Sequence, residues 1–121
     1  MRAIVALSIL VLLMVLNPAE LEQQGWLRVW QEGSAQQWLD PQSIAEHAGL
    51  LRADSLFFPE AGEPVTYRSQ YRLEEGDYRD LDAQGQPLHE WRSLADDPFN
   101  QAVFEAASRW ARTHATLADP A

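Results

Sequence analysis

An apolar run near the start of the chain separates its first residues from everything that follows. Arg2 precedes residues 3–16, which contain no charged side chain, and Pro18 then interrupts the pattern. A positive start and an apolar run of ~7–15 residues are typical of a secretory signal peptide, whereas a membrane span needs ~20 residues. Residues 1–19 are therefore predicted to be a signal peptide, with an uncleaved anchor and a buried helix as alternatives. A signal peptide and an uncleaved anchor both place the rest of the chain outside the cytoplasm, in the periplasm, the cell envelope or the medium.

The remaining residues form an acidic, cysteine-free piece of the size of one domain. The whole chain has 121 residues and no cysteine, and after residue 19 eight arginines stand against eighteen acidic residues, a net charge of −10. Compact domains hold ~100–150 residues. The lack of cysteine excludes a disulfide framework, a zinc finger and a thiol nucleophile. The acidic balance argues against nucleic acid as a partner, because binding to phosphates needs basic residues.

Short aromatic, β-branched or alternating segments predict about six strands. In the clearest segment, 65–74, apolar and polar residues alternate, so that one face of the strand packs and the other faces water. Asp40 and Pro41 predict a turn after the second segment, and Gly85 lies at the centre of a hairpin connection. The six predicted strands are 26–30, 37–39, 50–58, 65–74, 78–82 and 88–92.

The C-terminal part changes from a period of two to a helical period. Asp96 or Asp97 can cap a helix, and Pro98 suits its first turn. Apolar residues then recur at steps of four, three and four, which predicts an amphipathic helix of about four turns that covers one face of the sheet. No pattern continues from Thr113 onward, so a tail is expected there. The stripe consists of Phe99, Val103, Ala106 and Trp110.

Strands followed by a helix predict an α+β fold, with an antiparallel meander sheet of about six short strands covered on one face by a C-terminal helix. The expected organisation is a signal peptide or N-terminal anchor over 1–19, a linker over 20–25, an α+β domain over 26–113 and a flexible tail over 114–121. Because it lacks cysteine, so small a domain must be held by helix-on-sheet packing alone.

Several motifs occur in an order that resembles the surface-adhesin protein E-like domain family. They are an aromatic-Asp-turn-Ser-Ile segment at 38–44, a Tyr-rich strand at 67–73, a turn at 82–85, a strand end at 90–92 and a helix segment at 102–108. The resemblance covers roughly residues 26–110 and implies an exported bacterial cell-envelope domain of the α+β class. The founding adhesin of that family binds host matrix components, while many of its relatives have no assigned ligand.

The chain departs from this family by lacking two cysteines that its members typically carry. By the resemblance, the equivalent positions are Glu75 or Gly76 and Ser108, so the bridge is absent, and the segment from Glu75 to Gly85 is shortened. The alignment implies that Ser108 faces the end of the Tyr-rich strand, with Cα atoms about 4–7 Å apart. The chain therefore resembles a divergent, cysteine-free member of the family.

Trp26, Arg28 and Trp30 form the candidate ligand surface. Alternation within a strand places these three on one face, and Leu27 and Val29 on the other. Trp and Arg are enriched at binding hot spots, and an arginine between two indole rings can stack on them by cation–π attraction. The alternative is that the tryptophans belong to the core, where large aromatic side chains mostly lie.

No other pattern predicts a catalytic, cofactor or metal site. Asp80 and Asp82 open a segment like a calcium loop, but its twelfth position, which must supply a bidentate glutamate, is Trp91, so a polar turn is expected. The histidines are too scattered for a metal-ligand motif, and no serine lies in a nucleophile elbow. These histidines are His47, His89 and His114.

The leading hypothesis is a non-enzymatic, exported binding or interaction domain whose partner is a protein or another envelope component. No cofactor is expected, and no stable membrane insertion if the signal is cleaved. One alternative is a small extracytoplasmic hydrolase with an Asp/Glu/His site, which requires a pocket where a carboxylate and a histidine converge. Another is an envelope assembly or scaffold subunit that docks through the helix or an edge strand. The sequence leaves the ligand and the oligomeric state open.

Overall fold

The computed structural model describes residues 17–118, which fold into a six-stranded sheet and two helices. The apolar run at 3–16, on which the signal-peptide prediction rests, lies outside the described residues. Of the two described helices, neither is both long and apolar enough to cross a membrane. The elements are α1 (Pro18–Gln23), β1 (Leu27–Glu32), β2 (Ala35–His47), β3 (Leu50–Phe58), β4 (Val65–Arg72), β5 (Asp77–Leu81), β6 (Arg92–Ser93) and α2 (Pro98–Ala118).

All neighbouring strands are antiparallel and follow one another in chain order, from β1 at one edge to β6 at the other. Between β2 and β3 the chain turns on Ala48 and Gly49, whose φ angles of 54° and 81° match the tight turns favoured between twisted strands. Together with α2, this meander confirms the predicted α+β fold class. β3 coincides with the predicted strand 50–58, whereas β6 shares only Arg92 with the predicted strand 88–92, which is otherwise not a strand.

α2 covers one face of the sheet, here named the α2 face. Asp97 caps the helix, because its carboxylate accepts the backbone N–H of Asn100 at 3.0 Å, and Pro98 is the first helical residue. The helix runs to Ala118, past Thr113, where the sequence pattern predicted a tail. The buried side of α2 and the sheet enclose the main core, made of Leu39, Leu51, Ala53, Tyr71, Tyr78, Leu94, Val103, Ala106 and Ala107.

α1 packs on the opposite face of the sheet, here named the open face. Asn17 caps this helix by accepting the N–H of Glu20 at 3.1 Å, and Leu21 is completely buried. The predicted linker over 20–25 is therefore wrong in its first part. A helix of six residues with one buried side chain is too short to show a period in the sequence. Leu21 belongs to a second cluster, which also contains Trp38, Leu56, Trp26 and Phe58.

β2 contains the segment that the sequence indicated as a turn. Asp40 pairs with Asp54 and Ala45 pairs with Arg52, so the residues of β2 between these pairs bulge out of the ladder. Ser43 holds the bulge, since its hydroxyl donates to the Asp40 carbonyl at 2.7 Å and accepts the N–H of Asp54 at 2.8 Å. The predicted turn is thus a bulge within one long strand.

Candidate functional site

A bulge in β1 separates the three residues of the candidate ligand surface. Arg28 pairs with Trp38, whereas Trp30 pairs with Gln37, the residue directly before Trp38 in β2. Val29 is thus an extra residue on β1, and an extra residue turns the following side chains to the other face of a sheet. Trp26 and Arg28 lie on the open face, and Trp30 lies on the α2 face. The prediction that the three share one face is therefore wrong.

Trp30 packs among aromatic side chains on the α2 face. Its ring centroid lies 5.6 Å from that of Phe99 and 6.5 Å from that of Phe57. Tyr67 adds an edge-on contact to Phe99 at 6.2 Å. Aromatic pairs at such distances stabilise a fold beyond the area that they bury. Trp30 therefore takes part in the packing of α2 against the sheet, which is the alternative that the sequence left open.

Trp26 and Arg28 line an open groove beside α1. The groove has a volume of about 660 Å³, and its walls also include Pro18, Glu22 and Trp38. Trp26 is half-buried, while Arg28 is exposed and forms no ion pair within residues 17–118. The groove thus combines an apolar wall of two indole rings with one unpaired guanidinium group.

Four arginines from three neighbouring strands form a second surface on the open face. Tyr67 and Tyr71 of β4 contact α2, so the β4 residues that alternate with them point to the open face. Strand pairing places alternate residues of β3 and β5 beside them. We name this surface the arginine face; it consists of Arg52, Arg68, Arg72 and Arg79, with Gln70 and Trp91.

Trp91 lies between two of these arginines. The guanidinium carbons of Arg72 and Arg79 are 4.4 and 4.3 Å from its ring centroid, within cation–π range. Arg79 also donates to the Gln70 side chain at 2.9 Å. Arg72 donates to both carboxylate oxygens of Asp77, the bond from Nε being 2.7 Å long, and this hydrogen bonding lowers the pKa of Asp77. Both guanidinium groups are therefore held in place against one shared ring.

The arginine face combines two arginines that pair with carboxylates of the same face, Arg68 and Arg72, with two that do not. Five of the eight arginines after residue 19 lie on the open face, the four of the arginine face and Arg28. Arg68 pairs with Asp54 at 3.0 Å, whereas Arg52 and Arg79 form no ion pair within the described part of the chain. A cluster of like charges with unpaired members favours an anionic partner. Sequence reasoning missed this surface because its members come from separate strands.

A carboxylate and a histidine meet on the α2 face, which the sequence did not reveal. His89 Nε2 lies 2.8 Å from Asp80 Oδ2, and His89 Nδ1 lies 2.7 Å from the Glu90 carbonyl oxygen. The Ser69 hydroxyl donates to the other Asp80 oxygen at 3.0 Å, so it faces the carboxylate and not the imidazole. A nucleophilic serine needs a base at hydrogen-bond distance. The contact between His89 and Asp80 therefore fastens the segment between β5 and β6 to the sheet. His47 lies apart from this cluster and is exposed at the end of β2.

A second polar cluster fixes the start of α2 to the sheet. The Tyr78 hydroxyl donates to Asp97 at 2.9 Å, and the side-chain amide of Asn100 donates to the same carboxylate at 2.8 Å. Burial opposes the charge of Asp97, but the hydrogen bonds from Asn100 and Tyr78 outweigh it and lower the pKa of Asp97. Burial raises the pKa of the Tyr71 hydroxyl, which lies 3.4 Å from Asn100. The fold thus favours an ionised Asp97 and a neutral Tyr71.

The segment that opens like a calcium loop is a hydrogen-bonded hairpin turn. One oxygen of Asp82 accepts the backbone N–H groups of Gln84 and Gln86, both at 2.9 Å. Gly85 has a φ of 82°, which glycine adopts without strain. Within residues 17–118, no group of three or more His, Asp or Glu side chains is placed to hold a metal ion.

Ser108, which the resemblance aligns with one of the missing cysteines, is buried on α2. It borders a groove of about 480 Å³ together with Leu73 and Phe104. Its hydroxyl has no hydrogen-bond partner among the described residues. Ser108 and the end of the Tyr-rich strand thus line the same groove.

No protein-family model, no curated protein and no solved structure matches this chain.

Proposed function

We propose that this protein is an exported, non-enzymatic binding domain of the bacterial cell envelope, of the surface-adhesin protein E-like type. Its binding surface is the arginine face, and its partner is a protein that presents carboxylate groups. The observation that carries this proposal is the position of Trp91 between Arg72 and Arg79, next to an exposed and unpaired Arg52. Export is supported by the apolar run at 3–16.

The physical basis of this proposal is that the surface is already arranged before a partner arrives. Arg72 is held by Asp77, and Arg79 is held by Gln70 and Trp91. Ordering a long side chain on binding costs ~0.5–1.5 kcal/mol, so groups that are ordered beforehand lose less. Trp and Arg are also the residue types that contribute most at protein interfaces. An acidic partner segment therefore meets a fixed pattern of donors around an aromatic ring.

The experiment is a binding titration with a defined acidic probe, a fluorescently labelled oligo-glutamate peptide, at low salt. Arg52→Gln is the test variant, because the Arg52 side chain is exposed and forms no hydrogen bond or ion pair within the described residues. Arg109→Gln is the matched control, since Arg109 is exposed on α2, on the other side of the sheet. We expect Arg52→Gln to weaken binding about three- to tenfold, and Arg109→Gln to leave it unchanged. Equal binding by both variants and the wild type would reject the arginine face as the binding surface.

The same titration separates a specific surface from general charge attraction. Trp91→Ala removes the shared ring without changing the charge, and we expect it to weaken binding on the order of tenfold, in the range of a moderate hot spot. Binding that falls steeply with salt but ignores Trp91→Ala would indicate non-specific attraction. Capture of an anionic glycan rather than an acidic peptide would contradict the partner class.

The hydrolase alternative has one observation in its favour, the contact between Asp80 and His89. Ser69 donates to Asp80 and does not face the imidazole. We propose that the cluster positions the segment that carries Trp91. The scaffold alternative predicts a stable complex with other envelope subunits, which native mass measurement of the purified protein would detect.

A further inference from the structure

Residues at the end of the predicted signal peptide belong to the folded domain. Asn17 caps α1, and its carbonyl oxygen accepts the N–H of Leu21 at 3.1 Å. Pro18 begins the helix, and Leu21 is completely buried on the sheet. The Leu21 carbonyl then accepts the N–H of Trp26 at 3.0 Å, just before β1. The chain from residue 17 into β1 is therefore one continuous part of the fold.

A cut by an export peptidase would fall inside this part. Such enzymes cut after a small residue that follows the apolar run. Residues 9–18 contain no Ala, Gly or Ser, and the first small residues beyond them are Ala19 and Gly25. A cut after Ala19 removes the cap and places a positive N-terminus at the start of a helix, where positive charge is unfavourable. A cut after Gly25 removes Leu21 and with it the whole of α1.

We infer that the chain keeps its apolar N-terminal segment as a membrane anchor, and that the groove lined by Trp26 and Arg28 lies against the surface of that membrane. No linker separates the two parts, because the apolar run ends at residue 16 and α1 begins at Pro18. Pro18 and Ala19 line the same groove as Trp26 and Arg28. Whatever holds residues 3–16 must therefore lie close to this groove.

The groove has the chemistry of a membrane–water interface. Tryptophan is enriched at the level of the lipid headgroups, where its ring is half in apolar surroundings, and arginine can extend its guanidinium group to a lipid phosphate. The fourteen residues of the apolar run are fewer than the ~20 that span a bilayer. A short apolar segment draws its flanking residues toward the interface. The preference of these side chains for the interface and the shortness of the apolar run both bring Trp26 and Arg28 to the lipid headgroups.

The groove and the arginine face lie on the same face of the sheet, at different distances from β1. Strands in a sheet are spaced ~4.8 Å apart, so Arg52 on β3 lies two spacings, about 10 Å, from β1, and Arg79 on β5 lies four spacings, about 19 Å, from it. The inference is independent of the proposed function, since either one can hold without the other.

The first test is the intact mass of the full chain after expression in a bacterial host, measured on the membrane fraction. Retention predicts the full mass of 13.7 kDa and a protein that stays with the membrane after washing at high salt and alkaline pH. A mass that corresponds to loss of residues 1–19 or 1–25, with the protein in the soluble fraction, would overturn the inference.

The second test locates the groove, and it uses the absence of cysteine from the chain. Glu22→Cys places one label in the groove without altering Trp26 or Arg28, and Glu105→Cys places the same label on the exposed side of α2. The full chain is inserted into vesicles of phosphatidylethanolamine and phosphatidylglycerol that carry a quencher on the lipid headgroup. We expect the label at position 22 to be quenched at least threefold more strongly than the label at 105. Equal quenching at both positions would overturn the docking of the groove, even for a chain of full mass.

Discussion

Leu21 is the residue through which α1 holds to the sheet, and its replacement by alanine measures what that contact contributes. The side chain is completely buried and packs with Trp38 and Leu56. Leucine-to-alanine substitutions in cores cost about 2–5 kcal/mol, depending on how far the cavity collapses. Because α1 is a single short helix, part of the cavity can close, and we expect a loss of about 2–3 kcal/mol for Leu21→Ala. This is a large share of the ~5–15 kcal/mol that stabilises a typical domain.

The assay is urea unfolding of residues 17–121, followed by tryptophan fluorescence. With a slope of about 1–1.5 kcal/mol per molar urea, the expected loss lowers the midpoint by about 2 M. Leu88→Ala is the matched control, because Leu88 is 63% exposed, and we expect it to change stability by less than about 0.5 kcal/mol. A shift for Leu21→Ala no larger than the shift for Leu88→Ala would refute the docking of α1. It would also remove the basis for a retained N-terminal segment.

Three further predictions concern the stability of the fold. Trp30→Ala should lower the free energy of unfolding by about 2–4 kcal/mol, measured by urea unfolding, because its ring packs against Phe99. The folded pKa of Asp97 is lowered, so its contribution to stability is present above pH ~4 and is lost as the pH falls further. Asp97→Asn should therefore flatten the decline of the urea midpoint between about pH 4 and 2; an unchanged decline would contradict this role. The family resemblance predicts that Glu75→Cys with Ser108→Cys forms a disulfide worth about 2–4 kcal/mol, checked by mass under oxidation and by its loss on reduction.

The sequence indicated the parts of the fold that depend on local periodicity. Alternation along β4 and the apolar stripe of α2 were sufficient, because one side of each element reaches the core, at Tyr71 in β4 and at Val103 and Ala106 in α2. The turn residues from Pro59 to Pro64 correctly indicated the end of β3, which is Phe58 in the structure. These features together predicted an antiparallel meander covered by a helix.

The features that could not be predicted depend on one residue or on pairing between strands. The extra residue Val29 moves Trp30 to the other face, and no periodicity within a strand of six residues reveals such a bulge. α1 has a single buried side chain, Leu21, and follows an apolar run that indicated a different function. The arginine face is formed by the register of β3, β4 and β5, which brings together residues as distant as Arg52 and Arg79.

The most direct test of the central claim, that the arginine face binds acidic partners, is a nuclear magnetic resonance titration of residues 17–121 with oligo-glutamate peptide. We expect the indole N–H signal of Trp91 and the backbone signals of β3 to β5 to move as peptide is added. Signals of the exposed side of α2, including Arg109, should stay in place. Movement confined to α2 or to the groove at Trp26, with the Trp91 signal unmoved, would show that the arginine face is not the binding surface.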